Sequence, residues 1–215
     1  MVQSADRRFV AIEGLPGSGH TEFVEWVADQ PDWFAELERE FSALPPIDRS
    51  PLSHALQRLV GRFEAHQALV SEDLFRSRLI TDFTFETHAL WAECLLSPQE
   101  LVLYNRVASV MTPSPVRADV VVYIQAPEAE ILTALKQQYK GIDVEQWRRL
   151  YHAYDSHFFS YDDTPVLVVR RDKSGDYHGL GSREAVWDKI LSYQGGKTYF
   201  LGESGLWDGG SPAGD

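Results

Sequence analysis

The sequence predicts a three-layer α/β fold, with a central parallel sheet of about five strands flanked by helices. Three observations carry that prediction. Short apolar runs recur with helical patterns between them, the alternation that parallel strands need for their crossovers. Two of the runs, Asp119–Ile124 (DVVVYI) and Pro165–Arg170 (PVLVVR), are apolar almost throughout, as in strands buried on both faces. The first run, Phe9–Glu13 (FVAIE), leads directly into a glycine-rich turn and then a helix.

The remaining elements follow in order. A weaker strand pattern spans Trp33–Phe41. Leu56, Leu59, Val60, Phe63 and Val70 fall on one face of a helix. Leu79–Phe83 (LITDF) is the third strand. Ser97-Pro98-Gln99-Glu100 is a capping box with proline at the first helical position, so a helix runs from there to about Met111. Pro127 opens another helix, to about Gln138. Val144, Trp147, Leu150, Tyr151, Tyr154 and Phe158 form an apolar stripe at helical spacing. Ser182–Tyr193 is the last helix, stopped by Gly195-Gly196. One domain is expected over residues 1–194. Residues 195–215 hold 7 of the 15 glycines and read as an irregular tail. Its Tyr199, Phe200, Leu201, Leu206 and Trp207 are costly to expose, so it packs on its own domain or binds a partner.

Composition narrows the function. The 215 residues carry a net charge of −12, which excludes a general nucleic-acid or acidic-membrane binder. The single Cys94 leaves no intrachain disulfide and no multi-cysteine zinc site. It sits in an apolar run and reads as a small buried hydrophobe. No run of about 18 apolar residues exists to span a bilayer. MVQSADRRFV has no apolar core of a secretory signal, so a cytoplasmic location is expected. His152 and His157 are five apart and face different ways on a helix, so they make no metal pair.

The most informative segment is Gly14-Leu15-Pro16-Gly17-Ser18-Gly19-His20-Thr21. It fits the phosphate-loop pattern G-x-x-x-x-G-K-[S/T] in the required strand-to-helix context, except at one position. Gly14, Gly17, Ser18 and Gly19 would turn backbone N–H groups towards a phosphate, and the helix N-terminus adds partial positive charge. Thr21 stands where a hydroxyl meets Mg²⁺. His20 stands where the lysine belongs. An imidazole is shorter than a lysine and mostly neutral at pH 7.

With the loop in place, the chain resembles the bacterial deoxynucleoside kinases of the deoxyadenosine/deoxyguanosine kinase type over roughly residues 8–172. Four ordered segments carry the resemblance: RFVAIEGLPGSGHT, LITDFTFETHALWAECLLSPQELVLYNRV, ADVVVYIQAPEAEIL and YHAYDSHFFSYDDTPVLVV. It implies a P-loop kinase fold that uses ATP and Mg²⁺ to phosphorylate a deoxynucleoside 5′-hydroxyl. It also implies a general base near the end of the second strand, which falls on Glu38, with Glu36 and Glu40 as alternatives. Asp82 matches the family's acidic residue after the third strand. The basic pair Arg170-Arg171 follows the last strand, where the family approaches adenine.

The departures matter as much. His20 replaces the loop lysine. The family's basic residue in the Asp82 segment falls on Thr87. The arginine-rich lid aligns with TALKQQYKG (133–141), which keeps Lys136 and Lys140 but reads Ala134, Gln138 and Lys140 at the arginine positions. Phosphoryl transfer depends almost wholly on positioning and charge stabilisation. The sequence therefore favours a degenerate kinase over an enzyme, serving binding, regulation or assembly. It would act as a homodimer or an assembly subunit, through a helical face or the tail. An active or slow deoxynucleoside kinase, or a nucleotide sensor without turnover, are the alternatives.

Overall fold

The computed structural model describes residues 9–38, 50–71, 78–111, 117–138 and 143–200. Its elements run β1 (Phe9–Glu13), α1 (His20–Ala28), β2 (Trp33–Glu36), α2 (Pro51–Ser71), β3 (Arg78–Thr81), α3 (His88–Leu95), α4 (Pro98–Val110), β4 (Val120–Gln125), α5 (Glu128–Gln138), α6 (Val144–Ser160), β5 (Val166–Arg170), α7 (Arg183–Ser192) and β6 (Lys197–Phe200). The strands form one sheet in the order β2-β3-β1-β4-β5-β6, and every pairing is parallel.

Strand alternation creates the three layers. Val10, Ile12, Val120, Val122, Ile124, Leu167 and Val169 turn towards α1 and α7, where Phe23, Val27, Val186 and Trp187 close one core. Ala11, Val121, Tyr123, Val166 and Val168 turn the other way, onto Trp147, Leu150, Tyr154 and Phe158 of α6 and Trp91 of α3. The Tyr123 and Phe158 rings stack there at 4.6 Å. α2, α3 and α4 share a smaller core of Ala55, Leu59, Ala92 and Tyr104. The capping box at Ser97 is formed: the Glu100 carboxylate accepts from Ser97 N at 3.0 Å. Cys94 is buried.

The sequence reading needs correction at the end of the chain. Residues 197–200 are not irregular: they add a sixth strand, with Val166 paired to Lys197 and Val169 to Phe200. Tyr199 stacks on Phe159 at 5.3 Å, which anchors this edge. Leu206, Trp207 and the rest of the tail from 201 onward lie outside the described residues, as do Glu40 and Phe41 of the second strand pattern and Lys140. No helix among the described residues is long and apolar enough to cross a membrane.

A parallel sheet puts all its C-terminal strand ends on one side, where open α/β sheets bind ligands. Here β1 delivers Glu13 and the phosphate loop to that side. β2 delivers Glu38, β3 delivers Asp82, and β5 delivers Arg171.

Candidate functional site

The loop between β1 and α1 turns through Gly17 at φ 91° and Gly19 at φ 84°, conformations a side chain would strain. Gly17 is doubly constrained, because a Cβ there would meet the Cβ of Ala134 on α5 at 2.5 Å. Gly19 is the N-cap of α1 and offers no side-chain cap. Gly14 is buried beneath Ser18 and His20.

The polar side chains of the loop bond to one another. Ser18 Oγ and His20 Nδ1 lie 3.0 Å apart, and Thr21 Oγ1 lies 3.4 Å from His20 Nε2. Thr21 Oγ1 donates to Asp82 Oδ2 at 3.0 Å, while Asp82 Oδ1 accepts from the Glu38 N–H. Burial pushes the His20 imidazole down to about 4, with Arg58 and Arg62 adding to the effect against the opposing charge of Glu38. The residue in the lysine position is therefore neutral at physiological pH. Burial raises Asp82 to about 6, against the bonds from Glu38 N and Thr21.

The neighbouring half of the site is dense in charge. The Glu38 carboxylate is gripped by Arg62 through Nε at 2.6 Å and Nη2 at 3.0 Å, and by Arg58 Nη2 at 2.6 Å. Burial alone would raise its pKa, but the two guanidiniums outweigh that and hold it near 2. The Arg58 guanidinium carbon lies over the Trp91 ring, 4.0 Å from its centroid. Arg62 is 2% exposed and spends Nη1 on the Thr84 carbonyl and the Thr87 hydroxyl. Glu13 closes the network: one oxygen accepts from Thr84 N at 2.6 Å, Thr84 Oγ1 at 2.8 Å and Thr87 Oγ1 at 2.8 Å. Burial lifts Glu13 to about 7 despite Arg62 and these bonds.

The structure thus gathers Gly14, Gly17, Ser18, Gly19, His20, Thr21, Glu38 and Asp82 at one place. Lys136 is exposed near the end of α5, whereas the part of α5 against the loop is Glu130–Ala134. A guanidinium does stand beside Thr87: Arg62, from α2, donates to its hydroxyl. Sequence reasoning assigned no role to Glu13, Arg58 or Arg62. A usable signal was an arginine pair at i and i+4 on the helix whose apolar face it had already drawn.

Beyond the loop a cleft of about 470 Å³ opens between α1 and the segment after β5, lined among others by Gly17, Gly19, Phe23, Arg171, Tyr177 and Arg183. No group of three or more His, Cys, Asp or Glu side chains able to hold a metal occurs among the described residues.

Comparison with known proteins agrees with this fold. The family model for deoxynucleoside kinases matches residues 10–190. The chain belongs to that family. This deoxynucleoside kinase relative also resembles two solved structures of deoxyadenosine kinase from M. mycoides. The one with bound dATP shares 14% identity at a TM-score of 0.59, covering 86% of this chain and all of that one. The one with the products dCMP and a flexible dCDP shares 15% identity at a TM-score of 0.57, covering 75% of this chain and 89% of that one. At such identities the likeness speaks for the fold alone. No curated protein matches the sequence.

Proposed function

We propose that this member of the deoxynucleoside kinase family is impaired in phosphoryl transfer, and that its fold serves binding, regulation or assembly. The observation that carries the reading is the state of His20: a neutral ring, bonded to Ser18 and Thr21, where a lysine would present a charge. Two features of the site suit the family's ligands. Gly17–Thr21 at the start of α1 suits phosphate oxygens, and the Thr21 hydroxyl beside the Asp82 carboxylate suits Mg²⁺. ATP and Mg²⁺, when bound, would supply the γ-phosphoryl group and part of its charge neutralisation. The chain's own contribution is then deficient twice. Losing one preorganised charge contact costs about 2.7–4 kcal/mol in comparable sites, or about 10²–10³ in rate. Glu38, with both oxygens held and its pKa near 2, accepts a proton poorly. For assembly, α4 exposes Val102, Leu103 and Val110, with Val60 exposed on α2.

A second reading, a slow but active deoxynucleoside kinase, is favoured by Arg62, which keeps a cation at Thr87. A nucleotide sensor without turnover lies between the two. Equilibrium binding of ATP, ADP and dATP with and without Mg²⁺, paired with a transfer assay on deoxynucleosides, separates them. The expected result is weak nucleotide binding and negligible transfer. Transfer at an ordinary turnover rate overturns the proposal.

A further inference from the structure

Arg171, the first residue after β5, is fixed against the phosphate loop while its Nε stays without a partner among the described residues. Its backbone N–H donates to the Gln125 carbonyl at 2.7 Å, tying it to the end of β4. Its side chain, 23% exposed, crosses the outside of the phosphate loop. Nη2 donates to the Gly17 carbonyl at 3.0 Å. The guanidinium covers Gly19 so closely that a Cβ there would lie 3.6 Å from Nε. That Nε is buried and has no hydrogen-bond partner among the described residues.

The acidic neighbour is equally unfinished. Glu130, in the first turn of α5, approaches Arg171 Nη2 with Oε2 at 3.6 Å, an ion pair too long for a hydrogen bond. Its Oε1 is buried and has no hydrogen-bond partner among the described residues. Two orphaned polar atoms of opposite character thus flank the loop. An unmet buried donor or acceptor costs about 1–3 kcal/mol. A cation at the N-terminus of α1 also opposes the helix dipole. Stability does not explain this arrangement, whereas an anion bound at the loop does: it would take the free Nε and benefit from both positive groups. The cleft of about 470 Å³ beside Arg171 leaves room for the rest of a nucleotide.

We propose that Arg171 is the anion-binding cation of this phosphate loop, serving a nucleoside polyphosphate from the end of β5, with Glu130 as the carboxylate that the phosphate displaces. The inference rests on the loop being a phosphate site, and it supplies from another strand the charge that His20 lacks.

The test is calorimetric titration of tripolyphosphate, ATP and adenosine into the full chain and three variants. Arg171→Gln weakens tripolyphosphate and ATP by about tenfold or more and leaves adenosine unchanged. Arg171→Lys retains most of the polyphosphate affinity. Glu130→Gln tightens polyphosphate binding, because the competing carboxylate is gone, and it decides the matter alone if Arg171→Gln does not fold. Equal tripolyphosphate affinity in wild type and Arg171→Gln overturns the proposal. So does a wild type that binds no polyphosphate, or a Glu130→Gln variant that binds no tighter. None of these titrations contains a transfer step. A wild type that phosphorylates deoxynucleosides rapidly, yet loses tripolyphosphate binding on Arg171→Gln, sinks the impaired-transfer reading and leaves Arg171 in its role.

Discussion

The two halves of the site are built from opposite materials. On the loop side, Ser18, His20 and Thr21 bond to one another, and the central ring is neutral. On the other side, Arg58 and Arg62 clamp Glu38, and Arg62 runs on through Thr87 to Glu13. The first half has the backbone shape for an anion without the point charge. The second has fixed charges, two guanidiniums on one carboxylate. Loss of basic residues in the aligned motifs therefore does not mean a site without cations: the cations sit on α2 and after β5, outside the motifs that would reveal them.

The most severe way to break this contrast is Arg62→Ala. It leaves the Glu38 carboxylate without its bidentate partner and the Thr84 carbonyl and Thr87 hydroxyl without a buried donor. Removing one member of a buried ion pair costs about 3–5 kcal/mol. Urea unfolding should show a loss of that size, with Glu38→Gln on the Arg62→Ala background recovering part of it. A loss below about 1 kcal/mol would mean that the clamp is solvated like a surface pair.

His20→Lys acts on the other half. If the loop lacks only a charge, the variant should bind ATP more tightly and raise phosphoryl transfer by up to about 10²–10³ over its own baseline. Unchanged affinity would show that the neutral ring is not what limits the loop. Glu13→Gln then probes the link between the halves through pH. The folded state raises Glu13 from 4.5 to about 7, so it favours the protonated form. That contribution is complete below about pH 4.5 and is lost as pH rises through 7, up to roughly 3 kcal/mol in all. Wild type and Glu13→Gln should be similar in stability at pH 5, and the variant should be the more stable at pH 8. An equal gap at both values would place the Glu13 titration outside the folded network.

Much of the fold was legible because it rests on local patterns. The apolar runs at β1, β4 and β5, the capping box at Ser97 and the α6 stripe each state their structure within a few residues. β6 was hidden because Lys197–Phe200 is half exposed and follows two glycines, so its strand character comes from pairing with β5. The loop half of the site was legible for the same reason as the fold, being a contiguous motif. Glu38 was named through the family resemblance, by counting along from the loop, with Glu36 and Glu40 left open beside it. Arg58 and Arg62 could not be placed from sequence, since their partners lie 20 to 25 residues away on other elements. Glu13 carried one clue, an acidic end to the apolar strand FVAIE.

The smallest effect is expected from Thr21→Val, and it asks how tightly the loop's internal bonds are held. The substitution keeps the branched shape but removes the hydroxyl that donates to Asp82 Oδ2 at 3.0 Å. Asp82 keeps the Glu38 N–H, and Thr21 is partly exposed, so water can replace the missing donor. The cost to stability should be about 1 kcal/mol by urea unfolding, well below that of Arg62→Ala. The sharper readout is Mg²⁺. If Thr21 and Asp82 together hold the ion, Thr21→Val abolishes any difference between ATP binding with and without Mg²⁺, while Mg²⁺-free binding stays as in wild type. A variant that keeps the full Mg²⁺ effect removes Thr21 from the ion site. The Thr21–Asp82 bond would then be only a brace between the loop and β3, and the loop half would be further from a working phosphate site than its glycines suggest.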